Sequence, residues 1–312
     1  MTSPLPSGEP LPQPLPNPPA SVAMFLVATI DPGGQSAVRE VLGSLAGLVR
    51  SVGFPRPDGG LGCVAGIGSR AWSRVFGGPR PAELHPFREL AGPRHHAPAT
   101  PGDLFFHLRA ARTDLCFTLA AELLRRLRGA VTVRDETQAF SSVDSRNLLG
   151  FVDGTENPVG PAAADAALVG DEDPAFRGGA YALVQKYLHD VDAWEALAVE
   201  AQEKIIGRTK LTNLELDAPG SHKDVNTVLG PDGAERRIVR SAMPFGRPGH
   251  GEFGTYFVAY ARTPEIPETM LRKMFLGGPG AGPDPLLDYS RAVTGSLFFV
   301  PPAVFLQALP GG

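Results

Sequence analysis

A strand-helix-strand order that runs twice, and recurs after residue 150, most limits how this chain can fold. Val22–Ile30 carries a buried-strand run, Ser36–Val52 an apolar stripe at helical spacing, and Leu61–Ile67 and Leu104–Ala110 two further strands. Thr113–Arg128 then reads as a second helix and Ala130–Arg134 as a last strand. Beyond residue 150 the spacing predicts a strand over Tyr181–Leu188, a helix over Ala193–Ile206 and a strand over Gly254–Arg262. A helix over Pro267–Phe275 and a strand over Gly295–Val300 complete the second round. Two ferredoxin-like α+β domains, each an antiparallel sheet with helices, fit this order better than a parallel sheet, where strand and helix would strictly interleave. The expected boundaries are 21–145 and 146–312, after a disordered arm over 1–20 that is dense in proline. The second half holds a long insertion between its first helix and its next clear strand, and such insertions are usually functional.

Composition excludes several classes. A hydrophobic share of 43% with 20% charged residues supports a real core. The net charge of −4 and the lack of any Lys/Arg run argue against nucleic acid as a partner. No apolar stretch approaches the roughly 20 residues that span a bilayer, and no basic, then apolar leader opens the chain. A cytoplasmic protein without a membrane partner is expected. Cys63 and Cys116, each inside an apolar run, read as buried free thiols in a reducing compartment.

Residues 147–158, Asn-Leu-Leu-Gly-Phe-Val-Asp-Gly-Thr-Glu-Asn-Pro, put a carboxylate on a glycine-bracketed turn straight after an apolar run. Gly150 and Gly154 admit backbone shapes closed to other residues and leave the approach to Asp153 open. Alone, Asp-Gly reads as a turn dipeptide; in this company Asp153 is placed for proton transfer.

The segment resembles the distal-acid motif Gly-x-x-Asp-Gly of the dye-decolorising peroxidases, bacterial B class. Further similar stretches follow in order, among them Gly170-Asp-Glu-Asp-Pro, Gln185-Lys-Tyr-Leu-His-Asp, Ile206-Gly-Arg-Thr-Lys, Met243-Pro-Phe-Gly and Phe253-Gly-Thr-Tyr-Phe. The resemblance implies the ferredoxin-like duplication with haem b in the C-terminal half. It also implies reduction of hydrogen peroxide, through a ferryl intermediate, by electrons taken singly from phenolic or dye-like donors or Mn(II). Rivals are a haem carrier or sensor that does not turn over, and chlorite dismutase, which lacks the Gly-x-x-Asp-Gly segment.

Carried onto this chain, the resemblance selects His222 among seven histidines as the iron ligand. A neutral imidazole suits peroxidase iron, and its other nitrogen should donate to a carboxylate, with Asp284 the first candidate and Asp288 the second. Arg240 matches the distal arginine, which stabilises charge on the departing oxygen and anchors a propionate. Asp153 would shuttle the proton; the relative weight of Asp153 and Arg240 stays open. Phe257 is the expected apolar lid and Arg208 a second propionate contact. Ser241-Ala242 departs from the usual Asp-Asn and removes a distal amide. Glu156, Glu215 and Glu235 fall near the haem edge, as an Mn(II) site or as a solvated acidic rim. Tyr187, Trp194, Tyr256, Tyr260 and Tyr289 are candidate electron relays or core aromatics. A homo-oligomer is expected. Relatives are carried in encapsulin shells by a C-terminal extension, whereas this sequence stops at Leu309-Pro-Gly-Gly.

Overall fold

The computed structural model describes residues 12–15, 20–278 and 280–309. Its long strands form one sheet in the order Val131–Phe140, Val22–Ile30, Leu104–Ala110, Gly62–Gly68, Ser296–Val300, Ala180–His189, Glu252–Ala261 and Val239–Arg247. Every neighbouring pair is antiparallel. Counted by chain order within each half, both quartets run fourth, first, third, second, which is the ferredoxin-like arrangement twice over. The halves meet where Phe298 and Phe299 pair with Gly68 and Ile67.

Burial follows the patterning. The helix Gln35–Gly53 buries Val38, Val41, Leu42, Leu45 and Leu48, the 3–4 spacing that keeps one face inward. Each such side chain contributes roughly 1.5–3 kcal/mol when fully removed from water. With Thr113–Arg126 it covers one face of the N-terminal quartet. The opposite faces of the two quartets enclose a second core, in which the rings of Phe25 and Tyr256 stack 4.0 Å apart. Cys63 and Cys116 are buried and free. Burial pushes the Cys63 thiol far up and the Cys116 thiol up to about 12.

Four expectations need correction. The strand expected over Ala130–Arg134 runs over Val131–Phe140, because its polar Asp135, Glu136 and Gln138 pair with Val27, Leu26 and Met24 at the end of the sheet order. The single helix over Ala193–Ile206 is two, Val191–Glu195 and Val199–Ile206, and the buried Gln202 amide donates to the Trp194 carbonyl at the break, 2.8 Å away. The strand Val239–Arg247, inside the insertion, was not anticipated. Finally, the described part of the proline-rich arm is docked. Gln13 is 4% exposed, and its amide donates to the carbonyls of Ala65 (3.0 Å) and Pro301 (2.9 Å) while accepting from the Ala65 N–H (2.8 Å). Residues 1–11 and 16–19 of that arm lie outside the described residues.

Candidate active site

The loop 147–158 is fixed by its own polar groups. Asn147 Oδ1 accepts from the N–H groups of Leu149 and Phe151, each at 3.1 Å, and the Trp194 indole donates to the Leu149 carbonyl at 2.9 Å. Gly150 has φ +87°, and a Cβ there would lie 2.6 Å from Lys210 Cε. The Asp153 N–H donates to the Ser145 carbonyl (2.8 Å), and Asp153 Oδ1 accepts from the Gly154 N–H (2.7 Å). Gly154 itself has a positive φ, +79°, which turns the chain away from the acid. Asp153 keeps access to water through the cavity beside it. The protein around it nonetheless pushes its carboxyl above the usual carboxylate range, with the Gly154 N–H and Arg240 opposing.

Arg240 and Ala242 lie on the unanticipated strand. The Asn157 amide accepts from the Arg240 N–H and donates to the Arg240 carbonyl, both at 2.7 Å, so one side chain ties the acid-bearing loop to the arginine-bearing strand. Ala242 pairs with Phe257 across the ladder, and both line the same cavity.

Opposite these groups, Ser221 caps the short helix His222–Asn226. His222 Nδ1 donates to Asp284 Oδ2 at 2.6 Å, and Asp284 is fully buried, with its Oδ1 accepting from the Leu286 N–H at 2.9 Å. Asn226 Nδ2 donates to the His222 carbonyl at 2.7 Å. Burial disfavours the imidazolium, but the charge and hydrogen bond of Asp284 outweigh it and raise the His222 pKa. Asp284, rather than Asp288, is the carboxylate on His222. Asp288 instead lies 3.2 Å from His95 and 3.4 Å from Arg94.

His222, Asp153 and Arg240 together line two joined cavities of about 220 and 140 Å³. The first has a cationic edge of Arg208, Lys223, Arg236 and Arg237. The second is apolar, walled by Phe257, Met270, Leu271, Met274 and Leu287. A flat macrocycle with two carboxylates needs such an apolar bed, a cationic edge and one imidazole, so this donor set fits haem. A further cavity of about 140 Å³ reaches Asp153, Arg240 and Ala242 from the side of Ser142 and Pro244.

The glutamates are held apart by cations. Glu156 pairs with Arg208, Glu215 with Lys223, and Glu235 with Arg237 at 3.0 Å. Among the described residues no group of three or more His, Cys, Asp or Glu is placed to hold a metal ion. Tyr256 and Tyr260 belong to the core between the quartets, whereas Trp194 and Tyr289 pack beside the Asp153 loop. The roles of Asn157 and Asn226 were missed by the sequence reading. Asn157 stands in an Asn-Pro pair that looks like a plain turn, and nothing local announces a partner 83 residues away.

Residues 13–141 match the family described as Dyp-type peroxidase, N-terminal, and residues 144–305 the one described as Dyp-type peroxidase, C-terminal. A "Dye-decolorizing peroxidase" of Mycobacterium tuberculosis is 54% identical, over 96% of this chain and 90% of its own length. The encapsulated DyP-type peroxidase from Mycobacterium smegmatis superposes with a TM-score of 0.95 at 54% identity, covering 96% of this chain and 99% of that one. DypB from Rhodococcus jostii RHA1 gives 0.93 at 50% identity over 97% and 99% of the two chains. Variants of that protein have been solved in complex with heme, and an Asn-to-Ala variant in complex with manganese. No helix among the described residues is long and apolar enough to cross a membrane.

Proposed function

The chain belongs to the dye-decolorising peroxidase family, and from that premise we propose how its own residues divide the work of a haem peroxidase. The carrying observation is the cavity in which a carboxylate-backed imidazole, His222 with Asp284, faces a carboxyl and a guanidinium, Asp153 and Arg240. Bound there, haem supplies an iron that stores the oxidising power of peroxide and returns it in single-electron steps.

His222 would hold the iron, with Asp284 fixing the ring orientation and enriching its electron density. Asp153 takes a proton from the near oxygen of peroxide and delivers it to the far one, so that water leaves. Arg240 stabilises the negative charge on that departing oxygen before the proton arrives. Arg240 and Arg208 would pair with the carboxylates of the group, and Phe257 would give it an apolar contact. Two phenolic or dye-like donors then supply two electrons and two protons per peroxide. The cysteines, Cys63 and Cys116, lie in the N-terminal half away from the cavity, so the haem is held without a thioether, as haem b. The domain division at 145/146 follows the same reading, with the site built by the C-terminal unit.

The manganese bound to the Rhodococcus variant favours Mn(II) as a second donor. Here Glu156, Glu215 and Glu235 would take the ion after leaving Arg208, Lys223 and Arg237. A cytoplasmic homo-oligomer is also proposed, with the encapsulated Mycobacterium smegmatis relative as precedent for enclosure in an encapsulin shell.

Titration of haem into the haem-free chain, followed by one equivalent of peroxide, tests the central reading. A Soret band that saturates at one haem per chain and then shifts on peroxide is expected. A protein that binds haem and ignores peroxide is a carrier, and the peroxidase reading falls.

A further inference from the structure

The apolar bed that would receive the haem contains thioether sulfur. Met270 and Met274 occupy successive turns of the helix Glu265–Leu276, four residues apart and so on one face, and both line the apolar lobe of about 140 Å³. They are 8% and 7% exposed, so an oxidant in bulk water meets little of either side chain. Their helix is bound to the His222 side of the cavity. The Asp284 N–H donates to the Met274 carbonyl at 2.8 Å, and Lys273 Nζ donates at 2.6 Å to the carbonyl of Thr227, the residue that follows the His222 helix. Among the described residues that line the lobe, the readily oxidised side chains are Tyr187, Met270 and Met274. Tyr187 is poorly placed to yield an electron, because its hydroxyl donates to Gln185 Oε1 at 2.7 Å, an amide oxygen too weakly basic to take the proton. A thioether has no such proton to lose, and its polarizable sulfur oxidises readily.

Resting on the peroxidase reading above, we propose that Met270 and Met274 are an oxidative modification site. When peroxide outruns its donors, the oxidising equivalents held at the haem discharge into these sulfurs, and the sulfoxide formed in the bed releases the haem. The balance closes: a sulfur gives up two electrons and bonds an oxygen from water, and two protons leave. Those electrons and protons reduce one peroxide to two waters, so that thioether and peroxide become sulfoxide and water. Oxidation turns a flexible apolar side chain into a polar, chiral one. Phe257, Leu271 and Leu287 of the same lobe have nothing to donate to the new oxygen, and the hydroxyls of Thr255 and Ser290 are already engaged with the His189 ring. A polar group left there without a partner disfavours the buried state of the lobe. At Met274 it also disturbs the segment whose carbonyl holds Asp284, and through Asp284 the orientation of His222.

The test treats the haem-loaded protein with a molar excess of hydrogen peroxide, with and without a phenolic donor, and the haem-free chain likewise, and maps the peptides by mass spectrometry. Met24, 1% exposed on the strand Val22–Ile30, and Met243, which lines the side cavity that reaches Asp153, serve as internal references. One added oxygen at Met270 or Met274 is expected with haem and without donor, about tenfold above either reference, since susceptibility follows access to the oxidant. Haem transfer from the oxidised protein to apomyoglobin should quicken about tenfold, the scale of one polar group left without a partner. Met270→Leu combined with Met274→Leu, which conserves volume, should keep its haem at the untreated rate after the same exposure. A Soret band that shifts on peroxide while both sulfurs stay unmodified would overturn the proposal alone. A Soret band that ignores peroxide, with the sulfurs unmodified, would take the peroxidase reading down with it. Sulfoxide formed equally without haem, or foremost at Met243, would mean that peroxide itself attacks and would also overturn the proposal. Sulfoxide at Met270 or Met274 with unchanged haem transfer would overturn the release. Should the double variant fail to fold or to take up haem, the peptide map and haem transfer of the parent decide.

Discussion

Asn157 grips the backbone of Arg240 at both its donor and its acceptor, each at 2.7 Å. The acid and the arginine proposed to act on peroxide therefore sit on segments bound by one side-chain amide. Asn157→Ala removes both bonds and leaves two strand groups to find water. A stability loss of about 1–3 kcal/mol is expected, read as a lower Tm, with a peroxide step at least tenfold slower. An unchanged stopped-flow rate would mean that the clamp does not set the distal geometry.

His222→Ala should lose most bound haem or shift its Soret band, because His222 is the cavity histidine backed by a carboxylate, whereas both ring nitrogens of His189, which also lines the cavity, are held by Thr255 and Ser290. Asp284→Asn should keep haem but weaken the electron donation of His222, moving the reduction potential of the iron upward. Potentiometric titration checks this, and equal potentials would show that Asp284 only shapes the fold.

Burial raises the Asp153 carboxyl, so the native state keeps that proton to higher pH than the unfolded chain does. The stability linked to it is complete below the unfolded carboxylate pKa and is lost as pH rises through the raised native value. Asp153→Asn should consequently gain in Tm on the parent as pH climbs towards neutrality, and the gap should close in acid. The parent's peroxide step should fall on acidification at a pH above the ordinary carboxylate range, whereas the Asn variant should be slow and flat. Parallel pH profiles would remove Asp153 from the proton path.

Much of this architecture is legible in the sequence where side-chain period and burial agree. The strands Val22–Ile30 and Leu104–Ala110 stand where their apolar runs stand. Val239–Arg247 was illegible because Pro244 and Gly246 usually punctuate structure, and the segment escapes that rule by lying at the end of the sheet order, where a missing N–H is tolerated. The candidate residues of the cavity were singled out by motif resemblance rather than by pattern. His222 and Asp284 stand 62 residues apart, and only the folded chain distinguishes Asp284 from Asp288. The ion pairs that separate Glu156, Glu215 and Glu235 were equally invisible, since proximity to a haem edge does not reveal which cation each acid has found.

Ala242→Asn would return a hydrogen-bonding amide to the distal face, with a net worth of about 0.5–1.5 kcal/mol, or up to about tenfold in rate if realised in the transition state. The peroxide step should accelerate. If Ala242 instead opens the cavity for donors, donor oxidation should fall while the peroxide step holds, and measuring both half-reactions separates the two.

Gln13 joins the proline-rich arm to Ala65 and Pro301, beside the seam between the quartets. Gln13→Ala strands buried backbone groups and should cost about 1–3 kcal/mol in denaturant unfolding, with haem affinity unaltered. A variant as stable as the parent would show the arm to be dispensable.

The seam also sets a timetable for making the protein. Strand Gly62–Gly68 finds its outer neighbour, Ser296–Val300, only after the rest of the second quartet has left the ribosome. Throughout synthesis the N-terminal unit must wait with a bare sheet edge, a surface that invites pairing with other nascent chains. Leu286, Leu287 and Ser290 of the haem cavity arrive equally late. Haem loading and closure of that edge therefore draw on the same stretch of chain, and a cell short of haem would be making a protein whose sheet edge closes with less support.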